Sequence, residues 1–397
     1  MPGVLYLSAL SSETLINDIH NKTGQNPGFA VQKFSRLLVR GIQENNVTIT
    51  SLSSPPITSK YTSNKWIKLP DEYEENIRYK YVPYFNIPVL KNLCVFLYTL
   101  FYVLFWGLRD HKNKIIICDV LAVSLSMGAL FASKLNRIQS VGVVTDIFGM
   151  MVGANTFKAR VASKLNAHYV RSFDKYILLT EQMNQVVNPR NKPYMIMEGL
   201  CDESLMSAPV LDIPKTSPRV VLYAGGIHER YGLKMLAEAF VKANVEDAIL
   251  VYYGNGPYVE SYKELCKIHP NLQYGGVASN GEILNEEYKA TLLVNPRFST
   301  EEFTQYSFPS KNMEYMASGT PVLTTKLPGM PDEYHPYVFL IEDESIEGFA
   351  SALAKVLSMS IDELKEYGNQ AKKFVLTHKN NLKQGNRVVS FIRDCKV

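Results

Sequence analysis

Cysteine is sparse and unpatterned in this sequence. Cys94, Cys118, Cys201, Cys266 and Cys395 are odd in number and widely spread, with no Cys-x-x-Cys and no Cys/His cluster. Neither a disulfide framework nor a structural zinc site is indicated, and a reducing cytoplasm fits best. The sequence has no G-x-x-x-x-G-K-[ST] phosphate loop and no G-x-S-x-G elbow, which argues against kinase and serine hydrolase chemistry. Aspartates never stand two residues apart, so there is no Asp-x-Asp pair to hold a divalent metal. The opening MPGVLYLSALSS lacks a basic residue, and its apolar run is too short for a secretory signal. VLYLSAL is instead read as a first buried strand. Long apolar runs are also missing, with one exception: the sixteen residues Leu93–Leu108 carry no charge. Crossing a bilayer takes about 20 such residues, so this segment is read either as a core helix or as a helix lying in the membrane interface.

What is present is the composition of a foldable protein: 46% hydrophobic and 20% charged residues over 397 positions, enough for two cores rather than one. Charge is divided unevenly. Residues 1–200 hold 22 Lys+Arg against 13 Asp+Glu (+9), and residues 201–397 hold 20 against 25 (−5). A basic half implies an anionic partner. No nucleic-acid motif accompanies it, and its cations flank the apolar run and fill FKARVASKLNAHYVRSFDK (157–175), so an anionic membrane surface is the expected partner rather than nucleic acid.

Short apolar runs alternate with helical patterns throughout. Residues 4–10, 46–52, 114–120, 140–146 and 175–181 read as strands in the first half, and 219–225, 248–254, 290–296 and 320–325 in the second. Runs of this kind separated by helices of 10–15 residues indicate parallel sheets buried on both faces. The pattern occurs twice and is interrupted across residues 197–219, where three prolines fall. The expected fold is α/β with two Rossmann-like, doubly wound domains facing across a cleft. Their expected limits are 1–203 and 204–375, with residues 376–397 as a last helix crossing back to the first domain.

Ligands in such sheets bind at the carboxyl ends of strands. Four loops in the second half stand out there: LYAGGIHERYG with Gly225, Gly226 and Arg230; VYYGNGPY with Gly254; LVNPRFST with Arg297; and YSFPSKNMEYMASGTPVLTT with Lys311 and Glu314. Glycines are expected to let backbone amides approach an anion, and Arg230, Arg297 and Lys311 to neutralise a diphosphate together.

In this order and spacing, LYAGGIHERYGLKMLAEAF, ILVYYGNGP, LQYGGV, TLLVNPR and SFPSKNMEYMASGTPVLTTKLPGMPDEY resemble the carboxy-terminal domain of glycosyltransferase family 4. The resemblance is closest over residues 219–335 and looser through NPGFAVQKFSRLL and VVTDIFGM. It implies a GT-B fold whose second domain holds a nucleoside diphosphate sugar, expected to be UDP-linked, and whose first domain holds the acceptor. It also implies transfer of a hexosyl or N-acetylhexosaminyl group with retention of configuration and without a cofactor or essential metal.

Carried over residue by residue, Glu314 matches the second of the family's paired glutamates and would bind the ribose hydroxyls. The first glutamate falls at Tyr306, and the basic pair of the first loop falls at Gly226 and Tyr231. Arg230 and Lys311 are the expected replacement cations. Ser307 and Ser310 complete the expected donor contacts, Asp146 would orient the acceptor, and Asn26 and Gly28 would line its pocket. The Pro-Ser-Lys turn resembles a polysaccharide-assembly branch, which implies capsule, exopolysaccharide or O-antigen synthesis on a lipid-linked glycan at the inner face of the plasma membrane. The alternatives are a nucleotide-sugar epimerase or hydrolase on the same fold, and a non-catalytic subunit that partners another transferase.

Overall fold

The computed structural model describes residues 3–24, 27–109, 114–147, 165–206 and 218–393. The chain divides into one unit made of Met1–Leu200 with Asn381–Val397 and a second made of Cys201–Asn380. The unit limits fall at 200/201 and 380/381, beside the expected 203/204 and 375/376, and the helix Ile361–His378 runs unbroken inside the second unit.

In the first unit β1 (Gly3–Ser8), α1 (Glu13–Thr23), α2 (Phe29–Glu44) and β2 (Thr48–Ser53) come first. They are followed by β3 (Trp66–Ile67), β4 (Glu72–Glu74), β5 (Ile77–Tyr81), β6 (Tyr84–Phe85) and α3 (Pro88–Leu108). Then come β7 (Lys114–Asp119), α4 (Val123–Leu135), β8 (Gln139–Val144), β9 (Lys175–Leu178), α5 (Glu181–Val187) and β10 (Tyr194–Ile196). Eight strands form one sheet in the order β10-β9-β8-β7-β1-β2-β5-β4. Every pair is parallel except β4 with β5. Strand order reverses between β1 and β7. Both are buried almost along their length, as the apolar runs VLYL and IIIC require of central strands covered on two faces. β3 and β6 pair separately as a short antiparallel ribbon.

The second unit contains β11 (Arg219–Ala224), α6 (Leu233–Ala243), β12 (Ala248–Tyr253), α7 (Val259–Ile268), β13 (Leu272–Gly276) and α8 (Asn280–Lys289). After these come β14 (Leu292–Asn295), α9 (Ser310–Ser318), β15 (Val322–Thr325), β16 (Phe339–Ile341), α10 (Ile346–Leu357) and α11 (Ile361–His378). Its six strands are all parallel, in the order β13-β12-β11-β14-β15-β16, and the order reverses between β11 and β14. Two apolar layers sandwich the sheet. One contains Leu233, Phe240, Tyr252, Tyr262 and Phe349, and the other Met313, Tyr315, Met316, Tyr334 and Val375. Ser279 and Ser360 start α8 and α11 with reciprocal capping boxes to Glu282 and Glu363.

The last helix, α12 (Asn381–Arg393), belongs to the first unit and packs on α2. Gly41 and Gly385 meet backbone to backbone at the crossing, and a side chain on either would collide with the opposing main chain. Asn45 Nδ2 donates to the Leu382 carbonyl at 3.1 Å, and Arg387 donates to that of Ile196 at 3.0 Å.

Candidate active site

The reversal between β11 and β14 places the first and third of the Gly/Arg loops at neighbouring strand ends. Close packing of glycine backbones joins these loops to the second. A side chain at Gly254 would collide with the carbonyl of Gly225, and one at Gly232, which has φ 80°, with the carbonyl of Pro296. This corrects the expectation that Gly225 and Gly254 offer their amides to an anion. Gly225 N–H donates to the Tyr253 carbonyl at 2.8 Å and Gly254 N–H to that of Gly276 at 2.8 Å, so both amides are used in extending the sheet. The glycines bring side chains together instead.

Two aromatic residues organise the cations. Tyr231 and Phe303 sit edge to face with centroids 6.1 Å apart. The Arg230 guanidinium lies 4.8 Å from the Phe303 ring and 5.7 Å from Tyr231, and that of Arg297 lies 4.9 Å from Tyr231 and 5.7 Å from Phe303. Two like charges share one aromatic pair, an arrangement that cation–π attraction supports and a bound anion would reinforce. Arg297 also acts on Tyr223. Burial pushes that phenol well above its usual range, and the nearby guanidinium opposes the shift. Tyr223 donates its hydroxyl to the Gly226 carbonyl at 3.0 Å. Lys311 Nζ lies 5.9 Å from the Tyr223 ring and only 2.7 Å from where a Cβ on Gly225 would stand. Arg230, Arg297 and Lys311 thus gather around Tyr223, Tyr231 and Phe303 at the carboxyl edge of one sheet. Sequence places Tyr231 only as a non-basic residue at a position where the family has a cation, and does not single out Phe303.

α9 is held in place by a buried polar chain. Asn295 Nδ2 donates to Asn312 Oδ1 at 2.8 Å, Asn312 Nδ2 to Thr324 Oγ1 at 3.4 Å, and Thr324 Oγ1 to the Asn295 carbonyl at 3.0 Å. Ala224 N–H donates to the Tyr315 hydroxyl at 3.0 Å. With Asn312, Tyr315 and Met316 buried, Lys311 and Glu314 fall on the half-buried face of the helix, three residues apart. Glu314 is the fifth residue of α9 rather than its start, so it lies past the first turn where the helix dipole acts. Ser310 is exposed at the first helical position. Tyr306 is half-buried just after the turn Glu302–Gln305, and the Ser307 hydroxyl donates to the Phe303 carbonyl at 3.1 Å. The loop that follows Arg297 is pinned by Glu344, whose carboxylate accepts from Ser299 N–H at 3.0 and 3.1 Å.

In the first unit Asp146 lies two residues past β8, half-buried, and accepts from Ile147 N–H at 2.7 Å. Burial raises its carboxyl above the usual value, and that hydrogen bond opposes the shift. Gly28, with φ 86°, caps the start of α2. Asn26 lies outside the described residues, as do Lys158, Arg160 and Lys164 of the second basic segment. Two residues not anticipated from sequence line the carboxyl edge. Gln32 bridges the turn after β1, accepting from Ser11 N–H at 2.9 Å and donating to the Ala9 carbonyl at 2.8 Å. Asp119 ends β7 beside the order reversal and accepts from Leu121 N–H at 2.9 Å, and burial lifts its carboxyl to about 6. Its only trace in the sequence is an aspartate closing the run IIIC.

Residues 212–374 match the family model described as glycosyl transferases group 1. A protein of Bacillus subtilis described as a teichuronic acid biosynthesis glycosyltransferase, TuaH, is 25% identical over 221 residues, 52% of this chain and 54% of that one. The match therefore spans about half of that relative. Among solved structures, sucrose-phosphate synthase from Thermosynechococcus elongatus superposes with a TM-score of 0.64 at 14% identity, covering 99% of this chain and 98% of that one. Anabaena HepE in complex with UDP gives 0.64 at 12% identity, covering 98% and 99%. The E. coli trehalose-6-phosphate structure bound with UDP-2-fluoro glucose gives 0.67 at 10% identity, covering 99% of each. The fold of the chain is GT-B, as expected.

Proposed function

We propose that this chain transfers a hexosyl or N-acetylhexosaminyl group from a UDP-sugar to a lipid-linked or glycan acceptor in surface polysaccharide synthesis, with retention of configuration and without an essential metal. The observation that carries the reading is the gathering of Arg230, Arg297 and Lys311 at the β11/β14 reversal of a domain matched to group 1 glycosyltransferases. The UDP seen in HepE and the teichuronic acid assignment of TuaH support the donor and pathway class.

Breaking the anomeric bond leaves negative charge on the β-phosphate. Fixed cations close to that charge stabilise the transition state more than the ground state. Lys311, with its stem against Gly225, and Arg297, half-buried against Tyr231, are the more buried two. Arg230 is exposed at the rim and serves the same anion. Glu314 offers two acceptor oxygens to the ribose diol, and Tyr306 stands where the sugar hydroxyls would be read. No enzyme nucleophile is required if the acceptor attacks from the face the leaving group vacates. Asp146 is then an acceptor-orienting carboxylate rather than a base, and Gly28, with Asn26, borders the acceptor.

Calorimetric titration with UDP, UDP-glucose, UDP-N-acetylglucosamine and GDP-mannose tests the donor assignment, with Lys311→Met and Glu314→Ala as controls. Binding of a UDP-sugar that both substitutions weaken is expected. If no nucleotide sugar of either kind binds, the transferase reading fails. Labelled transfer to membrane lipid extract in the presence of a chelator, with the anomer assigned by NMR, tests the acceptor, the stereochemistry and the metal independence.

A further inference from the structure

The apolar run of the first unit is longer than its charge-free core suggested. α3 has 21 residues, about 32 Å of helix, and is the one described helix long and apolar enough to cross a bilayer. Only Val95, Thr99 and Val103 on one face are buried. Leu90, Leu93, Leu97, Phe101, Phe105 and Leu108 recur every three or four residues on the other, with Phe105 65% and Leu108 75% exposed. The stripe continues onto α4, where Phe96 meets Phe131 edge on at 6.0 Å and Phe131 and Leu135 are 56% and 71% exposed. At the start of α3 the β3–β6 ribbon adds Trp66 and Phe85, whose rings meet at a tilt with centroids 4.7 Å apart and are both exposed. An apolar surface of this extent marks an interaction site.

Topology decides how lipid would meet it. β5 and β7, on either side of α3 in sequence, are strands of one sheet separated only by β1 and β2, so α3 cannot cross a bilayer while that sheet is intact. The charges identify the occupant. Neither α3 nor α4 contains an acidic residue, and Arg109, Lys134 and Arg137 are exposed around the carboxyl ends of the two helices. The described residues of α3 and α4 in a second copy would bring no carboxylate to those cations, whereas an anionic lipid surface supplies phosphates along its whole length. We infer that the α3–α4 face is a monotopic docking surface for an anionic bilayer, with both helices lying in the interfacial plane.

The geometry also sets an orientation. β6 follows the carboxyl end of β5 after two residues, so α3 begins at the carboxyl edge of the sheet and ends at its amino edge, where β7 starts. Trp66, Phe85 and the first turn of α3 therefore enter lipid on the side where Gln32, Asp119 and Gly28 lie. The basic ends lie on the opposite side. A lipid-linked molecule could reach the carboxyl edge of the first unit without leaving the bilayer fully. This inference does not depend on the transfer reaction.

Flotation of the full chain with vesicles of phosphatidylcholine alone, or mixed with phosphatidylglycerol, tests it. Strong binding is expected only to the anionic vesicles. Phe101→Asp with Phe105→Asp should reduce binding at least tenfold, and Arg109→Glu with Lys134→Glu and Arg137→Glu should remove its dependence on anionic lipid. Circular dichroism melts show whether each variant is folded. In the unsubstituted fold, Trp106→Phe leaves Trp66 as the sole tryptophan, and brominated lipid should quench it. Unchanged binding by folded Phe101→Asp/Phe105→Asp protein, or an unquenched Trp66 on bound protein, overturns the inference. So does retention through an alkaline carbonate wash, which would mean crossing. A lipid-free dimer abolished by the same two substitutions would assign the face to self-association and likewise overturn it.

Discussion

Lys311 shows how tightly one cation can depend on one hydrogen. Its ammonium and last methylene occupy the space a Cβ on Gly225 would take. Gly225→Ala should therefore evict Lys311, with some backbone strain at φ 155°, and should reproduce at least the loss caused by Lys311→Met. Each is expected to lower kcat by roughly two to three orders of magnitude, the usual effect of losing one preorganised charge contact. The comparison to make is steady-state transfer by the two variants and their double. Near-equal rates in all three support a shared cause, and additive losses would separate the roles. Sequence alone gave the three cations, because charge at a strand end is unusual. It could not reveal that Tyr231 pairs with Phe303 between the two guanidiniums, since that depends on where the two rings stand and not on their chemical type.

Asp119 makes a second prediction at this scale. Its carboxyl is raised from 3.8 to about 6 by burial. The folded state therefore holds the proton more tightly than the unfolded chain does. The stability this group contributes is fully present below about pH 4 and is lost as pH rises through about 6. At neutral pH an ionised, buried Asp119 costs on the order of 3 kcal/mol. Asp119→Asn keeps an acceptor for Leu121 N–H and removes the charge. Its melting temperature should exceed that of the native sequence at pH 7.5, and the gap should close at pH 4. A native-like melt at both pH values would mean that the side chain is better solvated than its surroundings indicate.

Among the elements, what the sequence made legible follows a simple rule. The nine apolar runs read as strands became β1, β2, β7, β8 and β9 in one sheet and β11, β12, β14 and β15 in the other, the contiguous centre of each. Those not recognised were the four strands at the sheet margins (β4 and β10, then β13 and β16), β5 beside β4, and the β3–β6 ribbon. A central strand is covered on both faces and must be apolar throughout, whereas an edge strand such as Glu72–Glu74 carries only a weak pattern. The glycines of α2 and α12 were equally silent, since a helical glycine shows its purpose only when the partner backbone is known. Gly385→Val should push α12 off α2 and destabilise the first unit by about 3 kcal/mol, at the upper end of overpacking effects. Scanning calorimetry should show one transition moving down while the transition of the second unit stays in place.

At the scale of the whole molecule, charge and topology diverge. The basic half contains the exposed apolar helices, and the acidic half contains the cation cluster at its sheet edge, so net charge marks the proposed membrane face and not the proposed donor site. Raising ionic strength should therefore release the protein from anionic vesicles well before it weakens nucleotide-sugar binding, since partly buried charges are screened less than exposed ones. Vesicle binding and donor titration across one salt series would test this ordering.

The return of α12 to α2 has a consequence for biosynthesis. The 180 residues from Cys201 to Asn380 are made after nearly all of the first unit and before its last helix. At ribosomal rates that is roughly 10–40 s. Throughout this interval the Gly41 surface of α2 lacks its partner helix, and at its end the second unit has all the residues it needs to fold. A ribosome that stops at residue 380 would release a finished second unit attached to an incomplete first one. Damage near the end of the message would thus be felt in the part of the protein that was made first.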